Sequence, residues 1–248
     1  MHILGDIGNT DTKLCLVSTK HKIIKKITFP SKNLNQKKLT KYFSLLKPNY
    51  EKISKILFCS VVPKSFNLIK KFLSKKTKIN CYEVKSLNLK SLIKIKVNYK
   101  QVGSDRITNA ISLINNKNNF IILDFGTATT FDVLIKDTYS GGIIAPGIRL
   151  SLDTLSDKAS LIPKINLKMI NNVIGNDTVS AVRSGFFWGY AGLIDNIIKL
   201  IKKETRKSFK VIITGGFSNL FKKSINTKVY HNKDITINGL IKISKLIK

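Results

Sequence analysis

The sequence predicts a duplicated α/β protein of 248 residues. Two stretches that echo each other carry this reading. One is Asp6-Ile7-Gly8-Asn9-Thr10-Asp11-Thr12-Lys13, after the apolar Ile3-Leu4; the other is Asp124-Phe125-Gly126-Thr127-Ala128-Thr129-Thr130, after Phe120-Ile121-Ile122-Leu123. Each reads as a strand, an Asp-x-Gly turn with hydroxyls, then a second strand. A third glycine turn, Ile213-Thr214-Gly215-Gly216, follows downstream. Each half then continues as mixed strand and helix signals, which is the pattern of an α/β domain.

In order, alternating and apolar runs predict strands near 2–6, 12–18, 22–28, 54–61 and 79–84. Helices are expected near 36–47 and 64–75, the second with Phe66, Ile69, Phe72 and Leu73 at helical spacing. Residues 85–104 read as basic and irregular. Asp105 opens a helix with Ile107, Ala110, Ile111 and Ile114 on its inner face. The Asn-Lys cluster at 115–119 marks the internal boundary, giving domains 1–118 and 119–248. The second half predicts strands at 120–125 and 128–135. Gly141 to Gly147 reads as a short strand breaking into a turn, with a helix to about Ser156. The longest helix spans 177–203. Ala181, Ser184, Gly185, Gly189 and Gly192 lie along it, and glycine inside a helix costs about 1 kcal/mol against alanine, so close packing against another helix is expected. Strand 210–214, a helix after Gly216 and helix 237–247 close the chain.

Composition narrows the class. At 43% hydrophobic the chain can bury a sizeable core. No apolar run approaches the ~20 residues of a membrane span, and the N-terminus lacks a signal-peptide pattern, so a cytoplasmic protein is expected. Cys15, Cys59 and Cys81 are scattered and without CxxC spacing, as in a reducing compartment. The formal charge of +30 would suit nucleic acid. Yet its arginines are only Arg106, Arg149, Arg183 and Arg206, whereas base reading favours arginine forks on guanine. The charge favours anionic ligands, ATP among them.

The glycine turns suit phosphate. Gly8 and Gly126 let backbone approach a ligand closely. The hydroxyls of Thr10, Thr127 and Thr129 can bond phosphate oxygens, and Asp6 and Asp124 offer the oxygen ligands a hydrated cation takes. Two ordinary hairpins with Asp and Thr as turn residues would show the same composition; the duplication favours nucleotide binding.

Five blocks in order resemble the type III pantothenate kinases, of the acetate-and-sugar-kinase, heat-shock and actin superfamily. They are Asp6 to Lys13, Gly103-Ser104-Asp105-Arg106, Asp124 to Ala128, Gly141-Gly142-Ile143-Ile144-Ala145-Pro146-Gly147, and Gly175-Asn176-Asp177-Thr178 leading to Ser184-Gly185. The resemblance implies two ribonuclease-H-like domains in a homodimer, and transfer of phosphate from ATP to pantothenate as the first step towards coenzyme A. It makes Asp6, Ile7, Gly8, Asn9, Thr10, Asp11, Thr12, Lys13 and Thr127 the ATP contacts, with Mg2+ accompanying ATP. Asp124 becomes the ligand of a monovalent cation, potassium or ammonium. Tyr99, Gly103, Ser104, Asp105, Arg106 and Thr178 become pantothenate contacts, with Asp105 the catalytic base. A carboxylate within reach of a hydroxyl can take its proton, and an arginine can pair with a carboxylate in forked geometry. Read alone, Ser104 or Asp105 would serve as a helix N-cap and Arg106 as a solvated charge.

Two features depart from the family pattern. The usual proline between the substrate tyrosine and the Gly-x-Asp-Arg block is absent from Tyr99-Lys100-Gln101-Val102-Gly103, and Asp177 stands where another polar residue is common. His2, His21 and His231 form no metal or triad constellation. Phe186, Phe187 and Trp188 are expected in the core or a dimer interface. The competing readings are a kinase for another small molecule, and a non-catalytic regulator of the same fold that binds nucleic acid.

Overall fold

The computed structural model describes residues 1–247 as two compact units. The first holds Met1–Ile114 together with the C-terminal segment that begins at Asp234; the second holds Asn115–Lys233. The sequence-based cut after residue 118 makes no provision for the return of the C-terminal helix to the first unit.

In the first unit, β1 (His2–Ile7), β2 (Asp11–Val17), β3 (Ile23–Pro30), β4 (Lys55–Ser60) and β5 (Cys81–Glu83) form a sheet ordered β3-β2-β1-β4-β5. The first three strands are an antiparallel meander; β4 and β5 run parallel to β1. Central β1 is buried at every position but Asp6, and its middle is the apolar run Ile3-Leu4-Gly5. Side chains alternate along it. Ile3 and Ile7 join Ile56 and Phe58 in a core with α1 (Gln36–Leu46) and α2 (Pro63–Ser74). Asn35 caps α1 by accepting from the Lys38 amide at 2.9 Å. A short strand, β6 (Lys94–Ile95), precedes α3 (Ser104–Leu113).

The second unit repeats this plan with β7 (Asn119–Phe125), β8 (Ala128–Ile135), β9 (Thr138–Pro146), β10 (Lys210–Gly215) and β11 (Val229–His231). Its strands run β9-β8-β7-β10-β11: an antiparallel meander, then two strands parallel to the first. The pairing of the two units strand for strand is the duplication seen in the glycine turns. The remaining helices are α4 (Ile148–Lys158), α5 (Thr178–Thr205) and α6 (Ser218–Phe221), with α7 (Ile235–Ile243) closing the first unit. Phe187, Ile194, Ile198 and Ile201 of α5 pack on Ile121, Leu123, Phe131 and Ile213 of the sheet.

Several elements differ from the sequence reading. Strand β9 is longer than the expected 141–147 run. Its added start is anchored by Tyr139, which is buried and donates to buried Asp132 at 2.6 Å. A bulge beside Gly141, whose φ is 122°, lets Tyr139 rejoin the register opposite Leu134. Three-residue β11 carries too short an apolar pattern to be legible. Helix α7 begins at Ile235 and gives way to a 3-10 turn at Ser244–Leu246. Along α5, a Cβ added at Gly185, Gly189 or Gly192 would meet nothing within 4 Å. Among the described residues, no helix packs closely on these glycines.

Helix α7 packs against α3. Lys242 donates to the carbonyls of Ile111 and Ile114 at 3.2 and 3.3 Å, closing the last turn of α3. Thr236 donates to Asn109 at 2.8 Å in the buried contact. Gly239 lies against the Thr108 carbonyl, which a Cβ would strike. Gly239→Ala is expected to cost about 1–3 kcal/mol, the usual range for overpacking. Urea unfolding checks this; an unchanged midpoint would mean that the helices separate freely.

Candidate active site

In the first unit, β1 and β2 meet in a tight turn. The Gly8 amide donates to the Asp11 carbonyl at 3.0 Å, and the Thr10 carbonyl accepts from the Ser31 amide at 2.8 Å. Asn9, Thr10 and Asp11 are exposed to solvent at the tip of the turn. Ile7 and Thr12 are buried: Ile7 lies in the core, and the Thr12 hydroxyl is bonded to Ser31 Oγ at 2.8 Å. Their contribution to an anion would be through the backbone. Asp6 faces Lys13 across the hairpin, with 3.9 Å between Nζ and Oδ2. Burial pushes the Asp6 carboxyl up to about 6; Lys13 opposes the shift and Asp105 adds to it.

Gly103 occupies the N-cap of α3, one residue earlier than the sequence suggested, and Asp105 lies in the first turn. The cap alternative for Ser104 and Asp105 is thereby replaced. Ser104 is buried and bridges α3 to the end of β4, donating to the Ser60 carbonyl and accepting from the Ser60 amide, both at 3.0 Å. The Asp105 carboxylate accepts from the Arg106 amide at 2.8 Å. A Cβ at Gly103 would meet that carboxylate, which would have to shift to admit it. Burial raises the Asp105 pKa, against the lowering effects of Arg106 and Lys85. A carboxylate made more basic by a dry setting is suited to accept a proton.

Tyr99 opens a 3-10 turn, Tyr99–Gln101, in the stretch that lacks the proline. Its hydroxyl is buried and makes no hydrogen bond among the described residues. Lys85 lies over its ring, 5.5 Å from the centroid, and donates to the Lys100 carbonyl at 3.1 Å. Neither Lys85 nor Glu83, whose charge helps to raise the Tyr99 pKa after burial, was legible as part of this cluster. Both are distant in sequence from the glycine block.

In the second unit, Asp124 is the penultimate residue of β7, beside an exposed Gly126-Thr127 turn. The Gly126 amide donates to the Ala128 carbonyl at 3.1 Å, as Gly8 does in the first unit. Gly147 presses on the Thr127 carbonyl, which explains why the Gly141–Gly147 block ends in glycine. Thr129 is buried, with its hydroxyl unbonded among the described residues, so it is turned away from the exposed loop. Gly215, at φ 86°, abuts Asp124 and Phe125, and the Gly216 amide donates to the Phe125 carbonyl at 3.0 Å. Thr178 is exposed at the first position of α5. Asp177 is the cap: it accepts from the Ser180 amide at 2.9 Å in a reciprocal capping box. That bond holds its carboxyl below the usual carboxylate range.

Two units of one strand order, each ending its first hairpin in an oxygen-rich glycine turn, define the duplicated ribonuclease-H-like fold of the actin-like ATPases and sugar kinases. The chain belongs to the type III pantothenate kinase family, whose profile matches residues 2–200. It is 67% identical to the type III pantothenate kinase of Pelagibacter ubique (strain HTCC1062) across the whole of both chains. Among solved structures, it resembles a protein assigned as a 2-dehydro-3-deoxygalactonokinase from Sinorhizobium meliloti, with a TM-score of 0.62 and 9% identity over 100% of this chain and 99% of that one. A Campylobacter jejuni protein assigned to the Baf family of transcriptional activators aligns with a TM-score of 0.60 and 20% identity, over 98% and 97%. At such identities these two show the fold alone.

Proposed function

We propose that the protein transfers the γ-phosphoryl group of ATP to the primary hydroxyl of pantothenate, in the cytoplasm. The observation that carries this reading is Asp105: a half-buried carboxylate beside Arg106 on α3, close enough to Asp6 of the glycine turn for the two charges to interact. In this reading Asp105 accepts the hydroxyl proton, Arg106 and Tyr99 hold the substrate, and the Asp6–Lys13 turn and Thr127 contact the phosphates. Gly103, Ser104 and Thr178 complete the substrate contacts, Gly103 and Ser104 through their backbone. Phosphoryl transfer needs positioning and charge neutralisation above all. The test is ADP release by the purified protein with ATP, magnesium, potassium and pantothenate. Release that does not depend on pantothenate would refute the reading.

The donors on offer at the glycine turns are carboxylates, hydroxyls and carbonyls, which fit hard cations. Among the described residues, no group of three His, Cys, Asp or Glu could hold a metal alone. Mg2+ would therefore be carried largely by the ATP phosphates, whose charge it neutralises, and Asp124 would hold a monovalent cation. Activity is expected to rise when potassium or ammonium replaces sodium, and Asp124→Ala to abolish that response. Equal rates of the wild-type protein in all three salts would remove the cation site.

We also propose a homodimer built on α5. The exposed face of that helix carries Gly185, Gly189 and Gly192 with open space above them, and Trp188 beside them at 36% exposure. Such a face suits a symmetric partner. Thr178 of one subunit would then serve the Gly103–Arg106 block of the other. Light scattering should give about twice 27.9 kDa. Mixed Asp105→Asn and Thr178→Ala subunits should recover part of the activity absent from either alone; an active monomer would refute the shared pocket. Among the described residues, no helix is long and apolar enough to cross a membrane.

A further inference from the structure

His231 does not stand alone, as its position in the sequence suggests. It ends β11, which runs parallel to β10 with His231 opposite Ile213. Its Nε2 lies 3.0 Å from the hydroxyl of Ser218, the first residue of α6. Ser218 is buried and donates its one hydroxyl proton to the Gly215 carbonyl at 2.7 Å. With that proton committed, Ser218 Oγ can only accept from the imidazole, so Nε2 must carry a hydrogen.

The carbonyl held in this way belongs to a tight glycine turn. Gly215 has a φ of 86°, open to glycine and few other residues. It abuts the Asp124 carboxylate, and the next amide, Gly216, ties the turn to the Phe125 carbonyl. The turn thus forms one wall of the Asp124-Phe125-Gly126-Thr127 loop. A shift in the Gly215 peptide would move the groups beside Asp124 directly.

We infer that His231 is a positioning residue for the nucleotide: as an Nε2–H donor it holds Ser218, Ser218 holds the Gly215 carbonyl, and the fixed turn supports the loop that carries Asp124 and Thr127. The inference rests on the reading that this loop contacts ATP phosphate. His231 touches no substrate. Either a neutral imidazole protonated on Nε2 or an imidazolium satisfies the bond, so the function of this pair does not depend on a change of charge. A glutamine, which also presents an N–H donor at the end of its side chain, should replace it in part.

The test uses the full-length protein. ATP affinity is measured by equilibrium binding, and the KM values for ATP and pantothenate separately, for the wild type, His231→Leu, His231→Gln and Ser218→Ala. A lost buried hydrogen bond of this kind should weaken ATP about 3- to 10-fold. That loss is expected in His231→Leu and Ser218→Ala, with the pantothenate KM unchanged and recovery in His231→Gln. Unchanged ATP affinity in folded His231→Leu, or an equal change in both KM values, overturns the inference and leaves the kinase reading intact. A wild-type protein that binds ATP but does not phosphorylate pantothenate refutes the kinase reading, and a selective loss of ATP affinity in His231→Leu still supports the inference. If the wild type binds no ATP, both fail. If the variants do not fold, nitrogen NMR of the wild-type imidazole at pH 8 decides: protonated Nε2 is expected, and a neutral ring protonated on Nδ1 overturns the inference.

Discussion

Replacing Asp105 by asparagine is expected to lower turnover by about 10²–10⁴, the usual contribution of a general base, while ATP still binds. Asparagine keeps an oxygen to accept from the Arg106 amide, so the first turn of α3 should remain as it is. What it loses is basicity. Burial raises the Asp105 pKa, so the proton-accepting form is depleted as pH falls towards a value above the ordinary carboxylate range. The acid limb of kcat in the wild type should therefore lie above that of an exposed aspartate. Steady-state rates across pH, with ATP binding followed separately, check both parts. Near-normal turnover in folded Asp105→Asn would remove the residue from the chemistry.

Asp6→Asn is expected to stabilise the nucleotide-free protein at pH 8 by about 3 kcal/mol, at ~1.4 kcal/mol per pKa unit. The folded-state value of about 6 stands above the ordinary 3.8 because burial penalises the charge. A raised value means that the native state holds its proton more tightly than the unfolded chain. The stability this lends is complete below pH 3.8 and is lost as pH rises through 6. The asparagine variant has no such loss, so its advantage should appear across that window and vanish on the acid side. Urea unfolding at several pH values measures it. Parallel curves for the two proteins would mean that Asp6 is no more strained folded than unfolded. The strain is local: a carboxylate kept charged in a dry turn is ready for a cation brought in with phosphate, and a site can hold such strain when the rest of the fold outweighs it.

The fold was legible where local patterns suffice. The glycine turns, the strands of both hairpins and the long helix follow from alternation, helical spacing and turn chemistry. The strand-for-strand repeat needed only two matching motifs. What the sequence concealed depends on distant partners. Ser104 has the composition of a cap, yet it is committed to Ser60 of β4. Thr12 and Thr129 look like phosphate hydroxyls, yet strand alternation turns both inward. Lys85 reaches Tyr99 only because the chain folds back at β5. His231 gains its role from Ser218, across a loop that no periodicity marks.

The placement of α7 also bears on the order in which a ribosome completes this molecule. Everything the second unit needs, residues 115 to 233, emerges before α7 does. The first unit begins earlier and finishes later: the helix that bears Asp105 lacks its brace until Thr236, Gly239 and Lys242 have been made. A nascent chain can therefore hold a finished second unit while α3 is still exposed. Domains tend to fold as units during synthesis, and here the unit started first waits for the last helix. A message cut short before α7 would yield a chain with every proposed site residue in its sequence and no firm seat for Asp105.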